Sequence, residues 1–171
     1  MGISKLRVVA HHQRTGGDLC CAQINILLCK FINLENFNTS VVDDRRISYS
    51  QLDDLSNCVA NCIINKKINP QTIIAVNMDR SIEYIVAILG ILKAGCIFLP
   101  IDTNMPENRI VKIINDAGVE YLINRSTEYN ILCKNILNFE EMLKYSNAPI
   151  RREVCEDDDA YIIYTSGSTG I

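Results

Sequence analysis

Along the chain, short unbroken apolar runs alternate with segments whose apolar residues recur every three or four positions. Ser48 with Gln51 three residues on is a capping-box pattern, each side chain satisfying a free backbone donor at a helix start. Behind it Leu52, Leu55, Val59, Cys62 and Ile63 fall on one helical face. Residues 72–77 (Thr-Ile-Ile-Ala-Val-Asn) read as a strand. Ser81 can cap a second helix, whose Ile82, Ile85, Val86, Ile88, Leu89 and Leu92 cover much of its circumference, a pattern for burial on more than one side. Gly95 is placed to end that helix in the left-handed conformation, and 96–99 is the next short strand. Pro106 suits the first turn of a third helix with Ile110, Ile113, Ile114 and Ala117 inward and Gly118 at its end. Residues 119–123 read as a strand, 139–145 as a short helix and 161–165 as the last strand.

Strands that alternate with helices imply parallel pairing through crossovers. The predicted fold class is therefore α/β, a mostly parallel sheet with flanking helices. Ligands of such sheets bind outside the carboxyl ends of the strands.

The last predicted strand, Tyr161 to Thr165, runs into such a place. Thr165, Ser166, Gly167, Ser168, Thr169 and Gly170 are all Gly, Ser or Thr. A run of this kind packs no core, but its amides and hydroxyls can surround a phosphate, and its two glycines let the backbone approach an anion closely. A Walker A loop needs four residues between its glycines and a Lys directly after. Only Ser168 and Thr169 separate Gly167 from Gly170, and no Lys follows, so that loop is excluded. The plainer alternative is a Ser/Thr/Gly-rich turn.

The segment Tyr164-Thr-Ser-Gly-Ser-Thr-Gly170 resembles the phosphate-binding loop of AMP-forming adenylating enzymes: acyl-CoA synthetases, luciferase-like ligases and the adenylation domains of nonribosomal peptide synthetases. Three more stretches resemble the same family. Leu92-Lys-Ala-Gly95, followed by Pro100-Ile-Asp102 and then Pro106 and Arg109-Ile110, is similar to its second core motif. The stretch from Thr39 to Leu52, with Ser48-Tyr49-Ser-Gln-Leu52, resembles its first motif, and Asp158-Asp159-Ala160-Tyr161 its lead-in to the loop. Thr-Ser-Gly-Ser-Thr-Gly paired with Pro-Ile-Asp looks most like the amino-acid-activating branch.

The resemblance implies the N-terminal part of the family's large subdomain and a two-step reaction. A carboxylic or amino acid attacks the α-phosphate of ATP, with Mg2+, to give an acyl-adenylate and pyrophosphate. A thiol of a phosphopantetheine carrier protein or of coenzyme A then takes the acyl group. It assigns residues 165–170 to the β- and γ-phosphates of ATP, and an architectural role to Gly95, Pro100 and Asp102. It assigns no catalytic residue and no metal ligand in this chain, since the family's Mg2+-binding, adenine, ribose and substrate-pocket motifs lie downstream. On this reading 39–171 is a partial adenylation domain, cut inside its phosphate loop and inactive alone. The alternatives are a non-catalytic interaction module and a pseudogene remnant.

Composition narrows the field around this. A length of 171 residues and 48% hydrophobic content suit one packed domain. A net charge of -3 without a basic stripe argues against nucleic acid as a partner. No apolar stretch approaches the ~20 residues of a membrane span, and no signal peptide is legible, so a cytoplasmic protein is expected. Glu156 to Asp159 is read as a solvated turn. Eight cysteines include no Cys-x-x-Cys pair. Cys58 and Cys62, one turn apart, are expected to be buried thiols. His11-His12 with Cys20-Cys21 makes a poor tetrahedral zinc site, because adjacent ligands fit it badly. Residues 1–38 match no motif and are read as a linker or a mispredicted start, with a helical apolar pattern over 23–32.

Overall fold

The structure is a computed structural model that describes residues 3–9, 40–42, 45–125, 133–150 and 158–166; for 3–9, 40–42, 165 and 166 it describes the main chain. Eight strands and four helices follow one another along it. They are β1 (Ile3–Val9), β2 (Ser40–Val42), β3 (Arg45–Ile47), α1 (Tyr49–Asn65), β4 (Ile73–Asn77), α2 (Ile82–Lys93), β5 (Ile97–Pro100), α3 (Glu107–Ala117), β6 (Tyr121–Asn124), β7 (Asn135–Asn138), α4 (Phe139–Met142) and β8 (Asp159–Ser166). Six strands form one sheet in the order β1-β8-β5-β4-β6-β7, and β2 and β3 make a separate antiparallel pair. β8, β5, β4, β6 and β7 run parallel, as the alternation predicts, and β1 adds antiparallel to β8.

The two faces of the sheet follow from the two-residue period of its strands. Ile74, Val76, Phe98, Ile123 and Leu137 pack with α1, α2 and α4. Ala75, Ile97, Leu99, Leu122 and Ile162 pack with α3. α2 is covered nearly all round: Ile85, Val86, Ala87, Ile88, Leu89, Gly90 and Ile91 are all buried. It sits between the sheet and α1, and Gly90 is what lets α1 approach. A Cβ there would overlap the Val59 side chain and come within 3.0 Å of the Ser56 carbonyl oxygen.

The predicted caps form. Ser48 Oγ accepts from Gln51 N at 3.2 Å, while Ser48 N donates to Gln51 Oε1 at 3.0 Å. Ser81 Oγ accepts from Tyr84 N at 3.2 Å. Gly95 and Gly118 both take φ of 69°, ending α2 and α3 as expected.

Several boundaries shift for local reasons. Pro106, expected inside the first turn of α3, lies just before it with ψ 136° and lends its carbonyl to the amides of Arg109 and Ile110. Val119 gives its amide to the Ile114 carbonyl, so β6 starts two residues later than the apolar run suggests. α4 ends at Met142, and its expected continuation to Tyr145 is a set of tighter turns, including Tyr145 N to Met142 O. The expected helix over 23–32 and the histidine–cysteine cluster lie outside the described residues.

A buried polar network joins α1 to α2. Lys93 Nζ donates to Asp53 Oδ1 at 2.7 Å, Ser56 Oγ at 2.7 Å, Asn57 Oδ1 at 2.8 Å and the Asp53 carbonyl at 3.1 Å. The lysine side chain is 11% exposed, Ser56 0% and Asn57 3%, so water cannot readily replace the bonds to Ser56 and Asn57. The ammonium of the Leu-Lys-Ala-Gly stretch is thus structural. Arg45 reaches from β3 to grip both Glu83 carboxylate oxygens at 2.9 and 2.8 Å, which holds that carboxyl down at about 2.

Candidate nucleotide site

β4 leads through α2 to β5 on one side, and β5 leads through α3, on the opposite face, to β6 on the other side of β4. Helices on both faces of a parallel sheet leave only its strand ends open. Met78 to Ser81, Ile101 to Met105 and Arg125 continue from the carboxyl ends of β4, β5 and β6. β8, parallel to β5, ends at the same edge. Of the six residues singled out there, Thr165 and Ser166 form the carboxyl end of β8. Gly167, Ser168, Thr169 and Gly170 lie outside the described residues, so the path of the loop itself is not part of the observed geometry.

What the structure does define is how the loop's strand is held. Tyr161 is the registered partner of Phe98 in β5, and their rings lie 5.5 Å apart. Ile162 is fully buried against the α3 face. The Tyr164 hydroxyl donates to the Asp116 carboxylate at the end of α3. On its other edge β8 pairs with β1 from Ile3↔Ser166 to Val8↔Tyr161, with an irregularity before Val9↔Asp159. At its start Asp159 exchanges two hydrogen bonds with the side chain of Gln71, a residue the sequence pattern did not single out. No motif marks it, because its partner is main chain 88 positions away.

The donor chemistry fits a polyphosphate. From Tyr161 to Ile171 the chain contains no carboxylate, and six consecutive residues offer hydroxyl and amide donors. No group of three or more His, Cys, Asp or Glu among the described residues could hold a metal. Asp102 faces its own loop instead, accepting from Asn104 N at 2.9 Å, which agrees with an architectural role. Cys58, Cys62 and Cys96 are buried, and burial pushes the Cys58 and Cys62 thiols up, so neither is a ready nucleophile.

Fold and strand order together define an α/β protein with helices on both faces of a mainly parallel sheet. Comparison with known proteins narrows this: a family model described as AMP-binding enzyme matches residues 33–171. Bacitracin synthase 2 of Bacillus licheniformis is 35% identical over 135 residues, 78% of this chain and 5% of that protein. Gramicidin S synthase 2 of Brevibacillus brevis is 35% identical over 136 residues, 77% of this chain and 3% of that protein. Among solved structures, the N-terminal subdomain of Klebsiella oxytoca NpsA superposes with a TM-score of 0.64 at 27% identity, over 75% of this chain and 34% of that one. The nonribosomal peptide synthetase FmoA3, bound to α-methyl-L-serine-AMP, gives 0.66 at 27%, over 73% of this chain and 15% of that one. The chain belongs to the AMP-binding family of adenylating enzymes and is similar to the N-terminal subdomain of their adenylation domains.

Proposed function

We propose that this chain supplies the phosphate-gripping part of an adenylation domain that activates an amino or other carboxylic acid with ATP. The observation that carries the reading is the strand-and-loop pair: β8 ends at the carboxyl edge of a parallel sheet, and the next four residues are Gly-Ser-Thr-Gly. Support for the nucleotide comes from FmoA3, a relative held with an aminoacyl adenylate. The chain spans only a few per cent of the two synthetases, so the acid and the thiol acceptor are assigned by class alone: an amino acid, and a phosphopantetheine carrier or coenzyme A.

Within this reading Thr165, Ser166, Ser168 and Thr169 give hydroxyl and amide hydrogen bonds to the β- and γ-phosphoryl oxygens. Gly167 and Gly170 keep the backbone close to them. Such contacts position pyrophosphate as a leaving group without covalent chemistry by the protein. Mg2+, when it arrives with ATP, supplies charge neutralisation on those same oxygens. Bound 2′(3′)-O-(N-methylanthraniloyl)-ATP, followed by fluorescence polarisation, tests the grip. ATP and inorganic pyrophosphate displace it and adenosine does not. Displacement by adenosine but not by pyrophosphate would contradict a phosphate loop.

A further inference from the structure

β8 is the strand that aims the glycine loop, and although it packs closely along β5, its registered ladder to that strand is short. Among the described residues a single registered pair, Phe98↔Tyr161, joins it to β5, against four pairs each for β4 with β5 and β4 with β6. Register matters here because each residue of slip moves a strand by about 3.3 Å along its axis. A slip of two keeps the same side chains facing the core while displacing the strand's end by about 6–7 Å. Apolar alternation alone does not forbid it.

Gln71 forbids it. Its Oε1 accepts from Asp159 N at 2.9 Å, and its Nε2 donates to the Asp159 carbonyl at 3.3 Å. The primary amide thus takes the place of a peptide group on a neighbouring strand, reading one residue of β8 by both of its main-chain atoms. The reader is itself fixed. Gln71 N donates to the Gly95 carbonyl at 2.8 Å, with Gln71 held at φ of 60°, a left-handed conformation uncommon for a non-glycine residue. Gly95 is the last residue of the Leu-Lys-Ala-Gly stretch, whose Lys93 is anchored in α1. A continuous chain of bonds therefore runs from α1 through Lys93, Gly95 and Gln71 to the first residue of β8.

We infer that Gln71 is a positioning residue, a register lock that sets where the glycine loop sits relative to the sheet. The inference rests on the phosphate reading of that loop for its functional meaning but not for its test. Gln71→Ala removes both bonds to Asp159, along with a longer one from Nε2 to the Gly95 carbonyl at 3.5 Å. Gln71→Glu keeps an acceptor for Asp159 N but, while ionised, offers the Asp159 carbonyl no donor. Protonation near pH 4, within reach of an ordinary glutamate, restores one. The carboxyls of Asp158 and Asp159 are adjacent in sequence, so Gln71→Ala at each pH is the control.

Amide hydrogen exchange read by mass spectrometry on intact chains gives the answer. Expected is a loss of protection of about tenfold over 160–165 in Gln71→Ala at both pH values, with α1 and α2 unchanged, for two lost hydrogen bonds. Gln71→Glu, which keeps one of the two, should lose part of that protection at pH 7 and regain it near pH 4. Unaltered protection of 160–165 in Gln71→Ala would overturn the lock. So would a Gln71→Glu protein that keeps α1 and α2 protected near pH 4 but leaves β8 open. Should β8 open while polyphosphate affinity stays unchanged, the lock stands and the phosphate reading of the loop falls instead.

Discussion

Replacing Lys93 by Met keeps the length and apolar stem of the side chain and removes only the charge and its donors. With it go three N–H donors, shared among four oxygens. Ser56 retains its own bond to the Asp53 carbonyl at 2.9 Å, so it loses an acceptor role and no more. Asn57 Oδ1 belongs to a residue only 3% exposed, and the loss of its donor at 2.8 Å cannot be made good by water. That term costs about 1–3 kcal/mol. Asp53 is 38% exposed at its side chain, so solvent takes over part of its interaction and its contribution is about 1 kcal/mol at most. Together the substitution costs about 1–4 kcal/mol, a sizeable part of the 5–15 kcal/mol typical of a domain. Urea unfolding followed by far-ultraviolet circular dichroism measures it, since the chain has no tryptophan and seven tyrosines. Asp53→Ala should cost less than Lys93→Met, and the double variant less than the sum, because Asp53 then no longer lacks its cation. A Lys93→Met protein within about 0.5 kcal/mol of wild type would refute the view of this lysine as the tie between α1 and α2.

Gly90→Ala should destabilise by about 1–3 kcal/mol despite alanine's better helix propensity, because the new methyl meets Val59; thermal unfolding decides. Asn77, 1% exposed and with neither side-chain amide atom hydrogen-bonded among the described residues, should tolerate leucine with unchanged or raised stability, and a loss above about 1 kcal/mol by urea unfolding would show a hidden partner. Glu83 has a folded pKa of about 2 against 4.5, so the stability it contributes is present above about pH 4.5 and drains away as the pH falls towards 2. Arg45→Met removes the main cause, so acid unfolding of that variant should lose its Glu83-dependent part; an identical acid limb would contradict the pairing. Cys58, Cys62 and Cys96 should resist iodoacetamide in the folded protein and react once it is denatured, as peptide mapping would show.

Most of the sheet and its helices were legible because they are written in local patterns. The capping box at Ser48, the Ser81 cap and the glycines at 95 and 118 each act within four residues of themselves. What escaped is non-local or weakly patterned. β7 has two apolar residues between two asparagines, too few to show a period. β1 lies in a stretch without family motifs and owes its existence to pairing with β8, more than 150 residues away. Gln71 is an ordinary polar residue after a proline until its amide is seen against Asp159. The glycine loop stood out from its composition, and the structure adds the strand end that carries its first two residues.

The central claim is that the loop after β8 grips the phosphates of ATP. Titration of a non-hydrolysable ATP analogue into the isotope-labelled chain, followed by amide nuclear magnetic resonance, tests it directly, even for weak binding. The account predicts progressive shifts of the amides from Thr165 to Gly170, reproduced by inorganic pyrophosphate, with the exposed face of α1 unmoved. Saturable shifts elsewhere that leave 165–170 unchanged would contradict it.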